Sequence, residues 1–243
     1  MVEQNSLYRT LECRPDNYQG WYNQGNILRS HNNLLDALFC YEKALEYYPN
    51  DYFSWYYHGK VLEELGRYNQ AIKSFQEACA IEKDNYWAWY SASYILQEKI
   101  GHHKEAIPFL LVALKNNPSD YWATYRLGKA YFYQKKYLKA LDFFQQALKI
   151  RPNDYWCYYR CGQCRQKLNQ LDLAKINYQK SLQIKPKDYW SIASLITVAE
   201  SQGLFYEVVE LNKNISNIDS ICSDIEQKIS LAHFITGINN REN

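Results

Sequence analysis

Three cysteines, Cys157, Cys161 and Cys164, stand at a Cys-x3-Cys-x2-Cys spacing. Thiolates so spaced on a loop can converge on an iron–sulfur cluster. Two adjacent histidines, His102 and His103, offer imidazole nitrogens. The third resource is aromatic: 24 Tyr, 9 Phe and 7 Trp bring the ring-bearing share to 16%. Large rings bury much area for little rotamer entropy, and Trp, Tyr and Arg dominate binding hot spots. That is recognition chemistry rather than bond-making chemistry. No phosphate-binding glycine loop, Gly-x-Ser-x-Gly elbow or His-Glu-x-x-His motif accompanies it.

What these side chains can do depends on the elements that hold them. A tyrosine returns at Tyr18, Tyr52, Tyr86, Tyr121, Tyr155 and Tyr189, at intervals of 34, 34, 35, 34 and 34 residues. A fixed period of that length marks a stacked repeat. With the tyrosine as position 1, position 8 is Gly25, Gly59, Ser93, Gly128 and Gly162. The third unit carries one extra residue, placed around Lys99-Ile100, and allowing for it three further positions stay in register. Position 20 is alanine, from Ala37 to Ala174; position 24 is Tyr41, Phe75, Leu110, Phe144 and Tyr178; position 27 is alanine or Ser181. Small, large and small residues at i, i+4 and i+7 share one helical face, so two helices approach closely with a ring between them. Position 32 is Pro49, Lys83, Pro118, Pro152 and Pro186, and proline ends a helix. A second turn falls mid-unit, near Gly66 and Gly101. Each unit therefore reads as helix, turn, helix, turn.

These landmarks resemble the tetratricopeptide repeat family, in a bacterial-type array. Trp21-Tyr22-Asn23-Gln24-Gly25-Asn26 is similar to the family's first-helix signature and Tyr41-Glu42-Lys43-Ala44-Leu45-Glu46 to its second. The resemblance covers about residues 3 to 214 and implies an all-α, right-handed α-solenoid of antiparallel helix pairs. We expect one domain over residues 1–243. Residues 1–17, with Leu7, Leu11 and Pro15 in register, form a lone second helix. Five full repeats occupy 18–186, and a divergent sixth occupies 187–214. A capping helix and tail fill 215–243, with Ser220 as N-cap and Ile221, Ile225, Ile229 and Ala232 at helical spacing.

In this family the first helices line a concave groove, and positions 2, 5, 9 and 12 face it, with position 6 at the edge. The resemblance therefore implies a peptide-binding groove made by Trp87, Tyr90, Tyr94, Trp122, Tyr125, Arg126, Lys129, Trp156, Tyr159, Arg160, Gln163 and Trp190. Such a groove suits an extended or helical peptide. The competing reading is that the rings at positions 2 and 5, tryptophans as well as tyrosines, mainly pack against neighbouring first helices. A Lys-Asn-Arg clamp for a C-terminal carboxylate is not expected, because position 5 is tyrosine throughout; Lys129, Arg126 and Arg160 leave a looser preference for acidic ligands. The cysteine triplet falls where other units carry Ala123, Leu127 and Ala130, so it reads as small buried core. His102-His103 reads as a solvated turn. No catalytic residue, cofactor or metal is expected.

The net charge of +2 and pI of about 8.0 argue against a strongly basic nucleic-acid binder. No stretch approaches a membrane span, the N-terminus lacks a basic start and apolar run, and seven cysteines show no framework spacing. The expected role is a non-enzymatic, cytoplasmic scaffold or adaptor for a partner protein. The alternatives are a self-associating subunit using its terminal helices and, more weakly, single-stranded RNA binding.

Overall fold

A computed structural model describes residues 17–212 and 223–237. Among them every regular element is helical. The chain divides into two compact blocks, Met1–Ser119 and Asp120–Asn243. The first holds three helix pairs: α1 (Tyr18–Ser30) with α2 (Leu34–Tyr47), α3 (Tyr52–Glu64) with α4 (Tyr68–Ile81), and α5 (Tyr86–Tyr94) with α6 (His103–Asn116). The second holds α7 (Tyr121–Tyr133) with α8 (Tyr137–Ile150), α9 (Tyr155–Lys167) with α10 (Leu171–Ile184), and α11 (Tyr189–Ser201) with α12 (Phe205–Asn212). A final helix, α13 (Ser223–Thr236), packs on α11 and α12. Ile225, Ile229 and Ala232 bury into that contact beside Ile192, Ile196 and Val208. All of the expected lone helix up to residue 16, and the expected cap at Ser220 with Ile221, lie outside the described residues.

Every first helix of the six pairs starts the same way. The residue before the periodic tyrosine is Asn17, Asp51, Asn85, Asp120, Asp154 or Asp188, and its side chain accepts a backbone N–H of the first turn. This is an N-cap, worth roughly 1 kcal/mol for each helix. The turn into the second helix passes through a left-handed residue. Gly66 and Gly101 serve there with φ of 74° and 80°, while Asn32, Lys135 and Asn169 adopt the same region. Second helices α2, α6, α8 and α10 stop two residues before Pro49, Pro118, Pro152 and Pro186. Helix α4 stops at the equivalent place although Lys83 replaces the proline. There Asn85, whose carbonyl caps α5, also donates from Nδ2 to Glu82 Oε2 at 2.8 Å.

The extra residue of the third unit lies slightly earlier than its expected place. It is absorbed as a turn of π-helix over Ile95–Lys99, where Ile100 N–H donates to Ile95 C=O at 3.1 Å. A π-bulge accommodates one inserted residue without breaking the helix.

Inside four of the six pairs, the position 24 ring lies on the bare backbone of the position 8 glycine. A Cβ built on Gly25 would fall 2.9 Å from Tyr41, on Gly59 2.9 Å from Phe75, on Gly128 2.7 Å from Phe144, and on Gly162 2.5 Å from Tyr178. All four rings are fully buried. The third unit keeps this fit by changing both partners: Ser93 stands opposite Leu110, a smaller side chain. Ser93 Oγ donates to Tyr90 C=O at 2.6 Å, so the extra hydroxyl is satisfied. We predict that Gly128→Ala lowers stability by about 1–3 kcal/mol, the usual cost of overpacking. In a double-mutant cycle by urea unfolding, Phe144→Leu should recover part of that loss; strictly additive effects would disprove the coupling.

Candidate functional site

The candidate surface is carried by the first helices of each block. At position 2, one residue after the cap-adjacent tyrosine, the side chain points away from the pair's own core. Trp87 is 60% exposed, Trp122 48% and Trp190 56%. Trp156 is half-buried. Position 5 divides by block. Tyr90 remains half-buried, stacked on Tyr86 at 5.3 Å. Tyr125 and Tyr159 are only 8% and 5% exposed. Their rings tilt against Phe144 at 5.5 Å and Tyr178 at 5.8 Å, which fill the gap over the glycines. The groove expectation therefore needs revision at these two tyrosines, which belong to the core. Arg126 is likewise buried. Tyr94, Lys129, Arg160 and Gln163 are half-buried.

In the second block the half-buried members form a connected cluster. Trp156 stacks on Tyr159, with centroids 5.0 Å apart and planes at 25°. The Arg160 guanidinium lies 5.1 Å over Trp156 and 6.0 Å from the Phe132 ring. Arg160 Nη1 donates to Gln163 Oε1 at 2.9 Å, and Gln163 Nε2 donates to the Tyr159 phenol oxygen at 2.8 Å. A cation held on ring faces keeps its charge while losing little mobility on binding.

Two cations that the repeat positions did not point to complete this edge. Arg151, just before Pro152, lies 4.1 Å over Tyr121 and 5.3 Å over Trp122. Lys185, just before Pro186, lies 4.5 Å over Tyr155 and pairs with Asp188 at 3.3 Å. Both stand at position 31 and reach back to the start of their own unit. In the first unit Tyr48 fills that position and packs edge-on against Tyr18 at 5.4 Å. Position 31 was legible as a register position, but no spacing rule marks it as facing the first ring.

The periodic tyrosine has a defined partner. Tyr121 Oη donates to Asp154 Oδ2 at 2.7 Å, while Asp154 Oδ1 accepts Cys157 N–H at 2.8 Å. The capping carboxylate of one unit thus also receives the tyrosine of the preceding unit. Tyr18 makes the same reach to Asp51 at 3.4 Å. Burial, then the hydrogen bonds to Cys157 and Asp154, push the Tyr121 phenol far above its ordinary range, so it stays a neutral donor. The regular Asn or Asp before each tyrosine was a signal that could have revealed these caps.

Cys157, Cys161 and Cys164 are buried on α9; Cys157 and Cys161 pack in the core beside Tyr121 and Phe144. Burial raises the thiols of Cys157 and Cys164 to about 12, in keeping with packed core positions. His102 is exposed in the turn before α6.

Models of the tetratricopeptide repeat match residues 18–51, 40–73, 121–154 and 157–188, together about half of the chain. No curated protein matches by sequence. Among solved structures, the chain resembles YrrB, described as a TPR protein with an unusual peptide-binding site. It is 24% identical over 76% of this chain and 95% of that one, with a TM-score of 0.68. It also resembles MamA from Desulfovibrio magneticus RS-1, at 22% identity over 72% and 98% of the two chains and a TM-score of 0.63. A third is PilW, a type IV pilus biogenesis factor, at 15% identity over 88% and 99% and a TM-score of 0.64. At these identities the likeness is one of fold.

The doubly used carboxylate generates a prediction. Asp154→Ala removes the cap of α9 and strands the Tyr121 phenol. It should cost about 2–3 kcal/mol, more than a cap alone. Adding Tyr121→Phe should recover the phenol's share. Equal losses with and without Tyr121→Phe in thermal unfolding would refute the link.

Proposed function

We propose, for a chain that belongs to the tetratricopeptide repeat family, the role of a non-enzymatic scaffold or adaptor that holds a peptide or helix of a partner protein on its first helices. The observation that carries this reading is the row of tryptophans at position 2. Trp122 and Trp190 expose about half their surface on α7 and α11, on either side of the half-buried Trp156 on α9. Internal packing already uses the tyrosines and leaves these indoles over. Exposed aromatic anchors of this kind are what interfaces bury.

The charge beside them sets a preference. Helices α7 and α9 carry Arg126, Lys129, Arg160, Arg165 and Lys167 and no aspartate or glutamate. A partner segment with carboxylates suits that surface better than a basic one. The same cations are too few and too buried for a phosphate-tracking strip, which makes RNA the weaker reading. No helix among the described residues is long and apolar enough to cross a membrane. Free thiols at Cys40, Cys79, Cys157, Cys161 and Cys164 suit a reducing, cytoplasmic setting.

The test is Trp122→Ala with Trp190→Ala. Both side chains are exposed, so helicity and unfolding midpoint should stay near wild type. Affinity for a partner captured from the native source, measured by calorimetry, should fall by about 1–3 kcal/mol. Unchanged affinity with intact helicity would rule out this surface. A second reading rests on α13, where Leu231, Phe234 and Ile235 are exposed at i, i+3 and i+4. It makes the chain a self-associating subunit; sedimentation should then show concentration-dependent dimers, and a strict monomer at high concentration would reject it.

A further inference from the structure

We infer that the first block holds a second binding site, between helices α4 and α6, for a partner peptide in which a large apolar side chain is flanked by carboxylates. A cavity of about 640 Å³ opens there to solvent beside Trp89 of α5. That volume is within the range of ligand sites, roughly 300–1,000 Å³. Its walls come from second helices α4 and α6, the linker after α4 and Trp89 of α5, none of them on α7, α9 or α11, so it is distinct from the surface proposed above and does not depend on it.

Two departures from the repeat meet at this one place. Position 28 is Leu45, Leu114, Leu148 and Leu182 in four units but Cys79 in the second. Position 32 is proline in those four units but Lys83 in the second. The smaller cysteine leaves volume that leucine fills elsewhere, and Cys79 lies on the floor of the cavity, only slightly exposed. The lysine puts an ammonium on the rim where the other units have an apolar ring.

The walls are aromatic and aliphatic. Trp89 and Phe109 meet with centroids 5.7 Å apart and planes at 53°, and Val112 adds carbon beside them. The linker below is pinned from both sides, because Trp89 Nε1 donates to Lys83 C=O at 2.9 Å and Asn116 Nδ2 to the same oxygen at 3.2 Å. The cavity is therefore held open by the fold, which lowers the ordering cost of binding. Burial raises the Cys79 thiol to about 12, in keeping with an apolar floor.

The rim selects the occupant. Lys83 and Lys115 are both exposed at the mouth; Asp84 lines it with them, and the Glu82 carboxylate beside Lys83 is already taken up by Asn85 Nδ2 at 2.8 Å. A side chain such as Phe or Leu matches the floor, and acidic neighbours on either side of it match the two ammonium groups.

The experiment uses the full chain labelled with 15N and capped peptides with Phe, Leu or Trp between pairs of Glu, at up to millimolar concentration. Saturable shifts are expected at the Trp89 indole N–H and at the amides of Ala80 and Val112. Cys79→Leu, which installs the residue found in the other units, should abolish them. Lys83→Glu with Lys115→Glu, at exposed positions that leave the fold intact, should weaken binding about tenfold. Trp122→Ala should change nothing, which separates this site from the first-helix surface. Several outcomes would overturn the assignment. One is an absence of shifts, or shifts confined to α7 and α9. Another is binding that survives either variant, or that is equal for peptides with Lys in place of Glu. Shifts at these residues that depend on protein concentration alone would instead make the occupant a second copy of the chain.

Discussion

Four of the six helix pairs are closed by a ring laid directly on glycine backbone. Because Gly128 has no Cβ, Phe144 sits where any side chain would collide with it, and the two helices close to a distance that alanine would forbid. Packing at this density responds to a single methyl group. The rest follows from that closeness. Alanines at positions 20 and 27 are fully buried because nothing larger fits beside the ring. Position 5 tyrosines lean on the same ring, Tyr56 on Phe75 as well as Tyr125 on Phe144 and Tyr159 on Tyr178, and in the second block they leave the surface. What remains outside is the position 2 indole, whose direction along the helix carries it clear of the pair.

The contrast between Tyr125 and Trp122 shows how far a repeat register reaches. Spacing assigns both to the first helix and to the same broad face. It does not say how far each ring leans toward a neighbour. Tyr125 is drawn in by the tilt of Phe144, whereas Trp122 meets Tyr121 edge-on and stays half outside. The helix pairs, the mid-unit turns and the proline stops were legible, since each rests on local backbone chemistry that one residue type signals. The π-turn at Ile95–Lys99 was legible as a count of one extra residue but not as a geometry. Arg151 and Lys185 were hidden, because they act through contacts across about thirty residues that no short-range rule encodes.

Departures from the repeat carry information of a different kind. Ser93 with Leu110 is a matched pair of changes that preserves packing. Cys79 with Lys83 is a pair that opens a cavity and adds a charge at its mouth. The first reads as repair and the second as specialisation, and the difference emerges only when each residue is placed beside its neighbours.

The tyrosine-to-cap bond gives the array a direction. In both observed cases the donor belongs to the earlier unit and the acceptor to the later one: Tyr18 to Asp51, and Tyr121 to Asp154. The two sides are unequal when parted. An aspartate that loses its tyrosine still caps its own helix, whereas Tyr121, almost wholly buried, would lose its carboxylate acceptor. Removing the later unit takes away that carboxylate and the Cys157 sulfur beside it and also opens the Tyr121 ring to water, so each earlier unit of this kind relies on its successor both for cover and for a polar partner.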